Sequence, residues 1–233
     1  MALLAVGTDT KTVKGEKKGY LTGILYLAPA NESGYEMCPA RSKGCTQSCL
    51  FTAGRGAFSN VRAGRLNKTK RFMEQRDTFM GELVADIFTL ISKAKTRDMV
   101  PCVRLNGTSD IDWERIPCLG KANIMEWFPD VAFYDYTKRL DRGPLPDNYS
   151  LTFSRSESNG VKVKKAIDQG LNVAVVFSGG LPETYAGLPV VDGDENDLRF
   201  LDGEGVIVGL KAKGKARKDT SGFVVYTVEG KVA

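Results

Sequence analysis

Three cysteines, Cys38, Cys45 and Cys49, lie close together in one polar stretch of the chain, with the spacing CxxxxxxCxxxC. Thiols this close in sequence can bind one inorganic cluster without ordering distant parts of the chain. Gly44 allows the backbone to turn tightly around a bulky cofactor. The positive side chains that can offset the charge of thiolate-bound iron are Arg41, Lys43 and Arg55. The spacing therefore favours a metal cluster held by this trio.

The chain contains no histidine, and this absence narrows the chemistry that it can perform. Histidine is the usual acid–base group near neutral pH and the commonest metal ligand. Its absence excludes serine or cysteine nucleophiles paired with histidine, histidine-ligated zinc and two-histidine-one-carboxylate iron. A structural zinc site needs four protein ligands, so three local cysteines with an open fourth position suit a [4Fe–4S] cluster better. The competing interpretation is three reduced cysteines in an ordinary loop.

The two remaining cysteines lie further along the chain. Cys102 stands near the start of a predicted strand and is most simply a small core residue. Cys118 follows that strand, in a loop expected on the same face as the trio, so it is a candidate for the fourth ligand. Isolated cysteines are usually inert, so water or a substrate is the alternative fourth ligand of the cluster.

Apolar runs and helical periodicity alternate along the chain and predict an α/β fold. Helices are predicted over 59–96 and 159–169. The strand candidates are 23–29, 100–105, 131–136, 149–153, 171–177, 188–191 and 206–210. Strand, loop and helix in repetition imply parallel strands with right-handed crossovers. We therefore expect one domain over 1–233, an irregular or partial TIM-type barrel with helices outside, with an open doubly wound sheet as the alternative. The cysteine loop, at about 30–58, follows the first strand candidate.

Polar side chains follow several predicted strands, at the edge of the sheet where α/β proteins bind ligands. The candidates for binding a cofactor or small molecule are Asn106, Asp110, Asp135 and Lys138. Either aspartate would serve as a base, and the lysine would bind an anion. The structural alternative is that such residues cap helices and turns.

The formal net charge of +5 at pH 7 favours phosphate or nucleic acid mildly. Basic groups concentrate at Arg62, Arg65, Lys68, Lys70, Arg71 and over 211–218. No apolar run approaches the ~20 residues of a membrane span, and the start of the sequence is not a signal peptide. We therefore expect a cytoplasmic protein without a membrane partner, in which cysteines stay reduced. The acidic run 192–197 matches a calcium loop only in part and is expected to be an exposed turn.

The segments YLTGILYLAP, MCPARSKGCTQSCLFTAGRG, VRLNGTSDID and FYDYTK resemble a family of phage-encoded proteins, the gene product 88-like family. The resemblance spans nearly the whole chain, and the cysteine block is its most specific part. It implies a viral origin, and hence the cytoplasm of a host cell, more than a particular activity.

A looser similarity is to the radical S-adenosylmethionine superfamily, whose cluster also follows the first strand of a partial barrel. The spacing here is not CxxxCxxC, and NGTSD at 106–110 stands where a Gly-Gly-Glu type motif would hold the methionine amine. We expect an iron–sulfur protein that performs redox or small-molecule chemistry. Its electrons would come from a host electron donor. The alternatives are a nucleic-acid-binding replication factor and a radical S-adenosylmethionine enzyme with atypical cysteine spacing.

Overall fold

A nine-stranded sheet forms the centre of the computed structural model, which describes residues 2–232. Its strands are β1 (Leu4–Val6), β2 (Tyr20–Leu25), β3 (Val100–Arg104), β4 (Ala132–Thr137), β5 (Tyr149–Ser154), β6 (Val173–Phe177), β7 (Thr184–Tyr185), β8 (Leu188–Asp192) and β9 (Ile207–Lys211). They lie in the order β1-β2-β3-β4-β5-β6-β9-β8-β7. Neighbours from β2 to β8 are parallel, whereas β1 and β7 are antiparallel edges. A separate hairpin pairs β10 (Thr227–Val228) with β11 (Lys231–Val232).

This sheet confirms the predicted α/β fold with mostly parallel strands. Strands β2 to β6 lie side by side in chain order, as in a barrel, whereas a doubly wound sheet reverses its order near the middle. A closed barrel is not found in the described part of the chain, because β1 and β7 each pair with one neighbour only. Closure would require the two edges to meet. The architecture is therefore an open sheet whose first six strands lie in chain order.

Five α-helices accompany the sheet within the described residues: α1 (Thr10–Glu16), α2 (Lys43–Gln47), α3 (Ser59–Glu74), α4 (Arg76–Thr96) and α5 (Gly160–Asp168). The prediction of a single helix over 59–96 is wrong, because the chain bends at Gln75, with φ −135° and ψ 50°. Phe72 and Phe79, on either side of the bend, pack edge to face with ring centroids 5.4 Å apart. Both helices therefore bury apolar side chains in one core. None of the helices in residues 2–232 is long and apolar enough to span a bilayer.

The two faces of the sheet differ because successive side chains of a strand point to opposite sides. One face is apolar and packs Leu21, Val103 and Phe133 against α4. The opposite face, here called the inner face, is covered in part by Leu198 and Phe200. By strand register it carries Thr22, Cys102, Arg104, Tyr134 and Tyr136. The inner face is therefore largely polar, unlike the face beneath α4.

Candidate functional site

The cysteine loop joins β2 to α3 and is fixed to the chain beyond β3. Met37 donates its N–H to the Ala30 carbonyl and accepts the N–H of Asp110, both at 2.8 Å. The Cys38 sulfur accepts the Ala30 N–H at 3.4 Å and lies 3.8 Å from the Thr108 carbonyl oxygen. The loop thus follows the first parallel strand, at the carboxyl edge of the sheet.

The short helix α2 carries Cys45 and is held by residues distant in sequence. Ser42 caps it by accepting the Cys45 N–H at 3.1 Å. Glu157, just beyond β5, accepts hydrogen bonds from Ser42 Oγ and the Gly44 N–H, both at 2.7 Å. Gly44 has no room for a side chain, because a Cβ there would lie 2.7 Å from Phe223 Cβ and 2.8 Å from Glu157 Oε2. These contacts of Ser42, Glu157 and Phe223 with α2, here called the clamp on α2, therefore set the position of Cys45.

The three loop thiols are half-buried and close enough to influence one another's ionisation. Burial raises the pKa of the Cys38 thiol to about 12, and negative charge on Cys49 and Cys45 adds to the rise. Burial also raises the pKa of Cys49, with Cys45 adding to it, while the positive Arg65 and Lys138 oppose it. The three predicted ligands thus share one loop, and Arg65 and Lys138 lie within electrostatic range of Cys49. With their pKa values raised, Cys38 and Cys49 stay protonated near neutral pH.

Within residues 2–232, no group of three or more cysteine or carboxylate side chains is arranged to hold a metal ion. The five cysteines are thiols rather than disulfides. Cys118 is buried in the apolar core, and its backbone forms an isolated β-bridge with Lys121. Burial alone raises the pKa of its thiol to about 11, with no contribution from the loop thiols. Cys102 is a buried residue of the inner face, with its sulfur 3.2 Å from Thr22 Oγ1. The structure therefore does not bring Cys118 to the trio.

The four residues predicted to bind a cofactor or small molecule fall into two pairs. Asp110 and Lys138 lie on the side of the thiols: Asp110 adds to the pKa rise of Cys38 and accepts the Lys138 N–H at 2.9 Å. Asn106 and Asp135 lie further inside, 2% and 0% exposed, with the Asn106 N–H donating to Asp135 Oδ1 at 2.7 Å. Only the first pair borders the sulfurs.

Asn106 and Asp135 make their contacts within the protein. The Asn106 side-chain oxygen accepts the Trp113 indole N–H at 3.2 Å, among other bonds. Asp135 accepts the Tyr149 hydroxyl at 2.9 Å. Burial raises the pKa of the Asp135 carboxyl to about 7, although the positive Arg104 opposes the rise. These two side chains join the ends of β3 and β4.

An arginine-centred cluster beside Asp110 was not predicted from the sequence. Arg142, whose side chain is 5% exposed, binds Glu114 through two hydrogen bonds of 2.7 and 2.6 Å. Its guanidinium also lies 3.3 Å from Asp112 and 3.7 Å from Asp110. The available signal was the alternation of the three acids, since alternate residues of an extended chain share a face. This cluster fixes the carboxylate next to Cys38.

The acidic run 192–197 was predicted to be an exposed turn, but only part of it is exposed. Its last residue, Asp197, is 3% exposed and pairs with Arg104 on the inner face at 2.9 Å. Asp194 pairs with Lys11 at 2.8 Å and with Lys213 at 2.7 Å. The partners are distant in sequence, so the run itself carried no sign of burial.

The basic residues of α3 are largely engaged within the protein. Arg65 is 8% exposed and stacks over Tyr26, with its Cζ 4.5 Å from the ring centroid. Burial lowers the pKa of Lys68 to about 8, and Arg71 pairs with Glu82. In the second basic segment, ion pairs join Lys211 to Asp192 and Lys213 to Asp194. These pairs leave less positive surface for phosphates than the sequence predicted.

Comparison with known proteins identifies one protein family. A protein-family model described as gene product 88 matches residues 2–227. No curated protein and no solved structure matches the chain. The similarity to the radical S-adenosylmethionine superfamily is accordingly not shown.

Proposed function

The chain belongs to the gene product 88 family, and we propose that it is an iron–sulfur protein whose Cys38, Cys45 and Cys49 bind a [4Fe–4S] cluster. One observation carries the proposal: a single loop at the carboxyl edge of the sheet holds three reduced, half-buried thiols. The cluster would serve redox or small-molecule chemistry at the carboxyl edge of the sheet. The cytoplasm of a phage-infected cell would keep these thiols reduced.

A cluster fits this arrangement better than a single ion. The sulfurs of a zinc site converge on one point at about 2.3 Å from the metal, and residues 2–232 contain no such group. In a [4Fe–4S] cluster each cysteine binds a different iron atom, so the sulfurs lie further apart. Three reduced thiols in one loop would supply the three cysteine ligands of such a cluster, and a chain without histidine has few ways to complete a zinc site.

The chain's own residues would hold the cluster and border its open position. Arg65 and Lys138 favour the thiolate form of Cys49 because they lower its pKa. A cluster with three cysteine ligands supplies one-electron transfer and one iron that is open to a small molecule. Asp110 would border that position and could act there as a base, and Lys138 would bind an anion. Asn106 and Asp135 would act by fixing the strand ends that carry these two.

The decisive experiment is anaerobic purification followed by iron and sulfide analysis and electron paramagnetic resonance. We expect about four iron and four sulfide per chain, as the cluster type requires. Replacing Cys38, Cys45 and Cys49 together with serine should abolish this content. Cys102→Ser is the matched control, because Cys102 is buried away from the loop and its sulfur contacts Thr22.

Two results would contradict the proposal. One is a colourless, iron-free protein after purification without oxygen. The other is a triple-serine variant with the metal content and spectrum of the parent, since the thiolates would then not be the ligands.

The alternative functions have measurements of their own. A nucleic-acid-binding replication factor requires salt-sensitive binding; affinity no better than about millimolar at low salt would exclude it. The buried Arg65 and the paired Arg71 already reduce the phosphate-binding surface. A radical S-adenosylmethionine enzyme requires reductive cleavage of that cofactor to 5′-deoxyadenosine. The absence of both cleavage and binding would exclude this function. Activity in the cell would also need a host electron donor.

A further inference from the structure

Buried hydrogen-bond donors without partners lie on and beside the inner face of the sheet. Within residues 2–232, Arg65 Nε and Nη1, Arg104 Nε and the Tyr136 hydroxyl are buried and make no hydrogen bond to the protein. A buried donor without a partner destabilises the folded protein, and a charged donor does so more strongly. Such groups need an explanation when they occur together.

These donors belong to one neighbourhood. Arg104 on β3 and Tyr136 on β4 share the inner face, and the guanidinium carbon lies 4.7 Å from the Tyr136 ring centroid. Arg65 stacks on Tyr26, which follows β2. Both guanidiniums act on the pKa of Tyr26, so this ring lies within electrostatic reach of both. Arg65 also lies over the ring of Phe51, with its Cζ 5.6 Å from the ring centroid, which puts the neighbourhood next to the cysteine loop.

The protein pairs Arg104 with a carboxylate, whereas Arg65 stacks on aromatic rings. Asp197 pairs with Arg104 through Nη1 at 2.9 Å and leaves Nε without a partner. Arg65 is 8% exposed, and its Nε and Nη1 make no hydrogen bond to the protein. Arginine offers a planar fork of donors that matches the two oxygens of a carboxylate or phosphate. An oxyanion is therefore the class of ligand that such donors bind.

We propose that Arg65, Arg104 and Tyr136 form a binding site for the carboxylate or phosphate group of a small molecule, at the inner face beside Cys49. The proposal does not depend on a cluster, because it rests on donors that belong to α3, β3 and β4. If the cluster is present, a molecule held by this group would extend toward it, and the site would then select oxyanion-bearing substrates.

The test is titration of the full-length protein with inorganic phosphate and, separately, with acetate and succinate at constant ionic strength, followed by calorimetry. We expect one of these anion classes to bind, and the class that binds identifies the group that the site recognises. Tyr136→Phe removes only a hydroxyl without a partner, so the fold should be kept while affinity falls about tenfold. Arg65→Gln should weaken binding at least as much.

Arg62→Gln is the control, because Arg62 lies on the same helix with its side chain 46% exposed and should bind the anion as the parent does. The proposal is overturned if neither phosphate nor the carboxylates bind, or if Tyr136→Phe and Arg65→Gln both keep the parent's affinity. A loss of equal size in Arg62→Gln would also overturn it, since binding would then follow surface charge alone.

Discussion

At the scale of single residues, the ionisation of Asp135 should be measurable as a pH dependence of the free energy of unfolding. The carboxyl is fully buried between the Asn106 N–H and the Tyr149 hydroxyl. Its pKa in the folded protein is about 7, against an ordinary value of 3.8, because burial disfavours the charge more than Arg104 and Arg142 favour it. The folded protein therefore binds one proton more than the unfolded chain between about pH 4 and 7.

We predict that Asp135→Asn flattens the pH dependence of stability. In the parent, the contribution of this proton is complete below about pH 4 and is lost as the pH rises to about 7, at up to about 1.4 kcal/mol per pH unit. Asparagine stays neutral and can donate to the Tyr149 oxygen, so the variant should gain stability over the parent above pH 7. Urea unfolding from pH 4 to 8 measures this.

Asp141→Asn is the control for that series. Asp141 is exposed, and its hydrogen bond to Arg139 lowers its pKa to about 2, so it is ionised in both states throughout the window. Its replacement should not change the slope. Equal slopes for the parent and Asp135→Asn would show that the carboxyl ionises normally.

Residue types and spacing predicted the cysteine trio and its loop, but they could not separate Asp110 from Asp135. Both follow or end predicted strands, yet Asp135 lies on the face shared with Phe133 and is enclosed, whereas Asp110 borders Cys38. The difference depends on register and on Arg142, which comes from a later loop. Neither can be read from the acidic residues themselves.

At the scale of elements, α2 depends on close backbone contact at Gly44. We predict that Gly44→Ala destabilises the protein by about 1–3 kcal/mol, as overpacking does, and displaces Cys45. The reason is that the new methyl group would press on Phe223 Cβ and Glu157 Oε2. Denaturant unfolding measures the stability, and iron content measures the effect on the site.

Gly64→Ala is the matched control because Gly64 lies in α3 and nothing outside its own helix stands within 4 Å of the added Cβ. It should raise stability by about 0.5–1 kcal/mol, as expected for a helix interior. If both substitutions have the same effect, the clamp on α2 is not tight.

The parallel strands were largely predictable, because buried runs of apolar residues between polar loops mark them. The bend at Gln75 was not, since no glycine or proline stands within five residues of it. The short edges β1 and β7 also escaped, because two or three residues are too few to establish a period. They form the two edges of the sheet, which do not meet to close a barrel.

At the scale of the whole molecule, the cysteine site is built from several parts of the sheet. Thr108 and Asp110 follow β3, Lys138 follows β4 and Glu157 follows β5, so they approach the loop from neighbouring strand ends. A ligand that bridges the three thiols would tie these parts together. Binding to the folded state alone stabilises that state.

If the proposed cluster is present, removing its iron with a chelator under anaerobic conditions should lower Tm by about 5 °C or more. Hydrogen exchange should become faster in the cysteine loop and over 219–225, and should stay unchanged in α4, whose core lies beneath the other face. Chelation that leaves both Tm and exchange unaltered would show that the metal does not join these segments.

The clamp on α2 also has a consequence for the order of events during synthesis. The ribosome produces the three cysteines early, but Glu157 and Phe223, which fix Cys45, are made much later. A nascent chain thus exposes the thiols before their enclosure exists. If the loop binds the proposed cluster, we expect stable loading only after Phe223 has been synthesised and has packed against α2.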